Sequence, residues 1–568
     1  MDIHDSIVAG VFFLVLISLS VPFGRYMANV FSGRKTFLSL ILGPVERALY
    51  RLCGIDPGSE MTWKTYAGSF IMLNLIGMSV LFLLQVVQGV FPLNPQGFSG
   101  VRWDTALNTA VSFATNTNWQ AYGGESTMSY LTQMLGMTVQ NFVSAGIGMT
   151  AGVAFIRGFI RRESDTIGNL WVDLTRAVLY VLLPLSIVVA IILISQGVVQ
   201  TMSPYASART LEGATQVIPL GPAASQIAIK QLGSNGGGFF GANSAHPFEN
   251  PTMLSNLVEC FSILFIPAAF VFMFGFMMNR PRQGVALFLV MAILCAAGLA
   301  LMLYAETMPI HVLGGVGISE PVSMEGKEMR FGVLWSAIWS QLTTATSNGS
   351  VNSMHDSFMP LGGLVQLFNM GIGGVIFGGV GVGLIGMLFY VILAMFVAGL
   401  MIGRTPEFMG KKLGPFEMIM AMVAMLSPMV FLVVFSAIAV STGSGLAGLN
   451  NPSSHGLSEI LYAYSSALGN NGSAFAGLNV NTVFYNLTLA GGMLIGRFST
   501  IIPALAVAGA LAKKTIVPES SATFPTTGPM FVIILISVIF IMGALTFFPV
   551  YTLGPVLEHF FVGAGRLF

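Results

Sequence analysis

Apolar residues in this chain come in long unbroken runs, not in alternation with polar ones. The runs fall near 7–30, 66–92, 128–156, 174–199, 252–279, 284–305, 362–403, 415–441, 480–512 and 528–552. About 20 such residues in a helix cross a hydrocarbon core of about 30 Å. The pattern therefore predicts ten transmembrane helices, with the run at 362–403 too long for one simple crossing. A membrane barrel would instead show short segments of alternating hydrophobicity.

Four polar dips interrupt this pattern at similar intervals. They read "SFATNTNWQAYGG" from Ser112, "QLGSNGGGFFGANS" from Gln231, "TTATSNGSVNSM" from Thr343 and "SSALGNNGSAFAG" from Ser465. Their central asparagines are placed at Asn116, Asn235, Asn348 and Asn471. Each dip follows a short segment of helical character, at 104–114, 222–232, 335–345 and 458–468, with Asp104 and Ser458 as candidate N-caps. A span, a half-helix, a small polar turn and a second span thus recur four times, a fixed-period repeat. One extra span flanks the set at each end. The expected fold is an all-α polytopic membrane protein with pseudo-fourfold symmetry. Its segments are 1–64 (first span and loop), 65–162, 163–283, 284–412 and 413–514 (the repeats, the third with a broken second span), and 515–568 (last span).

Composition agrees with a membrane setting: 54% hydrophobic, 8% charged, mean hydropathy +0.80. Soluble domains carry roughly 25% charged residues. The net charge of +1 gives no cue for nucleic acid. Cys53, Cys260 and Cys295 form no CxxC, and the histidines lack metal-ligand spacing. The start "MDIHDSIVAG" lacks the positive leader of a cleaved signal, so the first span is expected to be retained. With both termini outside, 17 of 24 Lys and Arg residues fall on the cytoplasmic side. Six fall outside (Arg102, Arg209, Lys230, Lys327, Arg330, Arg566), and Arg497 lies within a span. That asymmetry obeys the positive-inside rule. External loops carry 13 acids against six basic residues, among them Asp104, Glu212, Glu249, Glu306, Glu325, Asp356, Glu459 and Glu558, either drawing cations to an entrance or simply remaining after the basic residues are sorted inward.

Non-helical backbone at membrane depth survives only where protein buries it or it lines a water-filled path. Four such turns meeting on one axis could replace the hydration shell of a cation with carbonyl oxygens. Glycine suits this because it reaches positive φ freely. Half-helices entering from outside would aim their negative C-terminal ends at the ion. A single Asn-Gly is an ordinary turn dipeptide; four in register are not.

The stretches "GGGFFGANSAHPFENP", "ATSNGSVNSMHD", "GNNGSAFAGL" and "SFATNTNWQAYGGE" resemble the potassium-binding A subunit family of Kdp P-type ATPases over essentially the whole chain. The resemblance implies a filter of Asn116, Thr117, Asn118; Ser234, Asn235, Gly236; Ser347, Asn348, Gly349; and Asn470, Asn471, Gly472, supported by Gln120. Thr117 is read as standing where other repeats have glycine. The glycine-rich "NMGIGGVIFGGVGVGLIG", with Gly373, Gly374, Gly378 and Gly379, is similar to a loop that obstructs passage below the filter; close helix packing is the competing reading. Gly373 and Gly374 bring no acid, so no acid-mediated contact is expected there.

Arg497 matches a family arginine at the ion's exit, or else snorkels to the interface. Arg404 is grouped with the exit but placed at the interface, and Glu259 is left without a transport role.

The resemblance implies potassium as the bound ion, in a bacterial inner (plasma) membrane. It also implies three partners: a catalytic B subunit carrying ATP and magnesium, a C subunit, and a small single-span F subunit. The chain contains neither GxxxxGK[ST] nor Asp-Lys-Thr-Gly, so ATP hydrolysis is not expected of it. The alternative is a stand-alone Trk/Ktr-like channel or a gradient-driven transporter.

Overall fold

The computed structural model of the protein describes residues 3–308, 323–401, 403, 405–518 and 524–566. Among them are ten helices long and apolar enough to cross a membrane. They are Ser6–Phe31, Trp63–Val86, Thr132–Ile160, Leu170–Ser195, Met253–Met277, Pro281–Glu306, Val382–Met401, Pro415–Ser441, Val483–Lys513 and Pro529–Thr546. Thr132–Ile160 and Met253–Met277 are mostly buried at the centre, whereas Ser6–Phe31, Trp63–Val86, Pro415–Ser441 and Pro529–Thr546 turn most of their surface outward. An outward face of Leu, Ile and Val is what lipid requires.

The overlong seventh run resolves into two helices. Pro360–Gly371 stops, a loop follows, and Val382–Met401 completes the passage. The break is encoded by its glycines: Gly373, Gly374, Gly378 and Gly381 all take positive φ, a region L side chains rarely enter. Phe377 is forced there too, at φ 68°. Small antiparallel strand pairs depart from the all-helical expectation, the longest joining Ala206–Arg209 to Thr215–Ile218. These serve as loop clasps and carry no layer of the fold.

Four shorter helices dip between the spans: Trp103–Ala114, Ala223–Leu232, Gly332–Ala345 and Ser453–Leu468. Their C-terminal ends match the sequence expectation, but the starts shift by one to five residues and neither candidate N-cap holds. Ser458 is not an N-cap, because its helix begins at Ser453. Asp104 sits in the first turn and pairs with Arg102 instead of capping. After the turns of the second and fourth repeats, the returning spans are capped by threonine. Thr252 accepts from the amide of Ser255 and Thr482 from that of Tyr485.

Several acids assigned to external loops are buried: Asp104, Glu249, Glu306, Asp356, Glu459 and Glu558. Glu306 pairs with Lys327 at 2.9 Å. His455 bridges Asp356 (3.1 Å) and Glu558 (2.9 Å), tying the C-terminal helix Leu557–Gly563 to the fourth half-helix. These six acids are therefore structural, whereas Glu212 and Glu325 remain exposed. Burial opposes the charged imidazole, but the hydrogen bonds of Asp356 and Glu558 outweigh it and carry His455 from 6.5 up to about 10.

A group whose pKa rises on folding contributes fully below its unfolded value and loses that contribution as pH climbs through the folded one. The clasp should hold across neutral pH and loosen as pH passes about 10. Hydrogen exchange at residues 557–563, corrected for intrinsic rate, should accelerate there, and already at neutral pH in His455→Ala.

Candidate functional site

Each half-helix ends in a residue of non-helical or marginal geometry: Thr115, Gly233, Thr346 and Gly469. The next residue turns left-handed in every repeat, at Asn116 (φ 63°), Ser234 (49°), Ser347 (50°) and Asn470 (48°). Two residues later the backbone does so again, at Asn118 (54°), Gly236 (80°), Gly349 (90°) and Gly472 (101°). This alternation corrects the sequence register by one residue. Asn118, not Thr117, occupies the glycine position in the first repeat. Thr117, and not Asn116, corresponds to Asn235, Asn348 and Asn471. Backbone bonds agree: the amides of Thr117, Asn235, Asn348 and Asn471 return to Ser112, Lys230, Thr343 and Ser466 respectively.

The four turns touch in a closed cycle. A Cβ on Gly236 would overlap the carbonyl of Asn348, one on Gly349 that of Asn471, and one on Gly472 that of Thr117. A Cβ on Gly237 would strike Asn118 and close the circuit. Only absent side chains permit this approach, which is the physical reason for glycine here. Asparagine amides staple neighbouring repeats. Asn116 donates to Ser234 O (2.8 Å), Asn348 to Lys230 O (3.2 Å), Asn471 to Thr343 O (2.9 Å) and Asn470 to Thr117 Oγ1 (2.9 Å). Gln120 clamps the second turn, donating to Gly238 O (3.0 Å) and accepting from Gly238 N (2.9 Å). All twelve triplet residues therefore lie in one ring.

A cavity of about 70 Å³ adjoins the ring, lined by Asn116, Ser347, Asn470, Gly373, Gly374 and Arg497, among others. The broken-helix loop is pinned to it, since Gly378 N donates to Ala345 O (2.9 Å) at the end of the third half-helix. Gly379 faces Thr346 O. Arg497 is 4% exposed. Its Nη2 donates to Ser144 O (2.9 Å), while Ser144 Oγ donates to Asn116 Oδ1 (2.8 Å). An arginine held this way faces the interior, and the snorkelling alternative falls. Arg404 lies outside the described residues.

The sequence reading missed the second repeat's charge. The half-helix position that presents Ser112, Thr343 and Ser466 carries Lys230, which the sequence reading counted only among the basic residues on the external side. Thr343 Oγ1 accepts from Gly349 N and Ser466 Oγ from Gly472 N, both at 2.9 Å. Lys230 instead donates to Asn243 Oδ1 (2.8 Å) and pairs with Glu249, both charges fully buried. Asn243 Nδ2 then donates to Gly236 O (2.8 Å). Glu259 belongs to the same cluster, accepting from Gln231 (2.7 Å) and Ser244 (2.9 Å). Aligning the half-helices by their terminal turns would have exposed this lysine as the odd member.

Half-helices whose turns close a ring within a bundle of paired spans define a polytopic membrane protein of the span–half-helix–span repeat class. The potassium transporter TrkH from Vibrio parahaemolyticus shares the fold, with a TM-score of 0.52, 86% of this chain and 95% of that one covered, and 15% identity. The chain belongs to the potassium-transporting ATPase A subunit family (KdpA), whose description matches residues 10–560. Relatives named potassium-transporting ATPase potassium-binding subunit include one from Methylorubrum extorquens, 55% identical over 554 residues (98% of this chain, 97% of that one). Another, from Brucella anthropi, is 52% identical over 568 residues with full coverage of both chains.

Removing one partner of a buried ion pair strands the other, at a cost of roughly 3–5 kcal/mol. Lys230→Met should therefore lower the melting temperature sharply. Lys230→Met/Glu249→Gln should recover most of the loss, which the same melting curve reads.

Proposed function

We propose that this chain is the potassium-binding and translocating subunit of an ATP-driven uptake complex in a bacterial inner membrane, with both termini outside. The observation that carries the reading is the closed ring of left-handed turns at 116–118, 234–236, 347–349 and 470–472. Potassium is the most weakly hydrated of the common physiological metal cations, and carbonyl dipoles held at fixed spacing replace its water shell. The four half-helices direct their negative ends toward the ring, adding to the attraction. Family membership and the relatives' names support potassium as the ion.

Below the ring, the loop containing Gly373, Gly374, Gly378 and Gly379 and the guanidinium of Arg497 crowd the direct path. An ion leaving the ring meets a fixed positive charge there and is deflected sideways through an intramembrane tunnel toward the partner. That partner is a catalytic P-type subunit (B) carrying ATP and magnesium, with a C subunit and a small single-span F subunit completing the complex. No hydrolysis is assigned to this chain, and Arg404 receives no role. The likeness to TrkH keeps a stand-alone channel as the second reading. Gentle purification separates the two: a co-purifying potassium-stimulated ATPase supports the pump, and conduction by the chain alone supports the channel.

Gly349→Ala sets a methyl group against the Asn471 carbonyl. It should weaken potassium affinity by more than about tenfold, or about 1.4 kcal/mol, and blur discrimination against rubidium. Unchanged uptake kinetics would refute the ring as the binding site. Arg497→Met should leave affinity nearly intact but lower potassium moved per ATP, measured as rubidium flux against phosphate release in proteoliposomes.

A further inference from the structure

The first span ends at Phe31 and is followed by a helix, Ser39–Cys53, that lies outside the bundle. Its apolar residues have no cover: Leu40, Ile41 and Leu52, with Phe37 just before it, are 70–86% exposed. A helix that stays this apolar on the outside, beside a membrane-span end, is an interfacial one with its apolar face among acyl chains. Between it and the Leu170–Ser195 span opens a cavity of about 520 Å³, lined by Arg34, Lys35, Thr36, Arg47, Arg176 and Tyr180, among others.

The charge balance of this cavity is one-sided. Its acid, Glu46, is saturated by Arg176 Nε (3.0 Å), Tyr50 OH (2.7 Å) and Tyr180 OH (2.7 Å). That pairing cancels Arg176. Arg34, Lys35 and Arg47 have no ion-pair partner among the described residues, so three positive charges remain. Hydroxyls of Thr36 and Ser39 stand at the same rim. Basic pockets at a helix boundary on the cytoplasmic side, beside exposed apolar surface, suit an anionic headgroup whose tails continue into the bilayer.

We propose that this cavity binds the phosphate of an anionic phospholipid, with the acyl chains lying along Phe37, Leu40 and Ile41. A free phosphate would use the basic residues but not the apolar row. An acidic partner segment would use both, without requiring a lipid. None of the residues lining the site belongs to the ring of turns, and its test does not depend on how the ion moves.

The experiment uses the purified complex in nanodiscs of phosphatidylcholine with or without phosphatidylglycerol, followed by detergent extraction and native mass spectrometry of retained lipid. The expected result is retained phosphatidylglycerol in the native complex, falling at least about tenfold in Arg34→Gln/Lys35→Gln/Arg47→Gln. The charge-keeping variant Arg34→Lys/Arg47→Lys should retain it, as should Arg282→Gln, which removes a basic residue elsewhere on that face. Excess inorganic phosphate should not displace the lipid. Equal retention in the triple variant, an equal loss in Arg282→Gln, or displacement by phosphate would each overturn the proposal. So would a photocrosslinker at position 35 that captures a partner subunit and no lipid.

Discussion

Everything in this molecule follows from the need to place bare backbone at membrane depth without leaving it unsatisfied. Unpaired N–H and C=O groups cost several kcal/mol in hydrocarbon, so a turn there must be enclosed by protein. Here each turn is enclosed by the next. Gly236, Gly349 and Gly472 give up their side chains so that a neighbour's carbonyl can take the space, and asparagine amides close the gaps between repeats. In the proposed filter, the turn carbonyls that these contacts leave over supply what a dehydrated cation needs. The outer bundle, the interrupted seventh passage and the capped returning spans hold that arrangement in place.

The ring has fourfold topology with unequal chemistry. Thr343 and Ser466 steady their turns by accepting a glycine amide and Ser112 by donating to Trp119 O, while the second half-helix brings Lys230 with Glu249 and Glu259 behind it. Through Asn243 this buried cluster reaches the Gly236 carbonyl. The first repeat departs differently, with Asn118 in place of glycine and bonded through its amide to Asn141 (2.6 Å). On the cavity side, Ser144 joins Asn116 to Arg497. The ring is thus fastened to a buried Lys–Glu cluster on one side and to Arg497 on another.

Spans, half-helices and turns were legible because membrane helices are written in long apolar runs and the turns in small polar residues, both visible without tertiary context. The register of the first turn was not. Asn116 and Asn118 both tolerate positive φ, so a lone Asn–Thr–Asn carries no mark of which asparagine fills the glycine position. The burial of Lys230 and of the acids Glu249, Asp356 and Glu558 was missed for a different reason. Charge normally signals exposure, and only the folded chain reveals that these residues find partners inside it. Arg497 was the converse case. A single base deep in an apolar run had few places to go, and its burial at the cavity matches that reading.

The most direct measurement is anomalous diffraction from the intact complex with rubidium or thallium in place of potassium. The account predicts one dominant peak where residues 116–118, 234–236, 347–349 and 470–472 converge, within coordination distance of carbonyls from all four. A principal peak elsewhere in the chain, or four turns drawn apart around an empty centre, would contradict it.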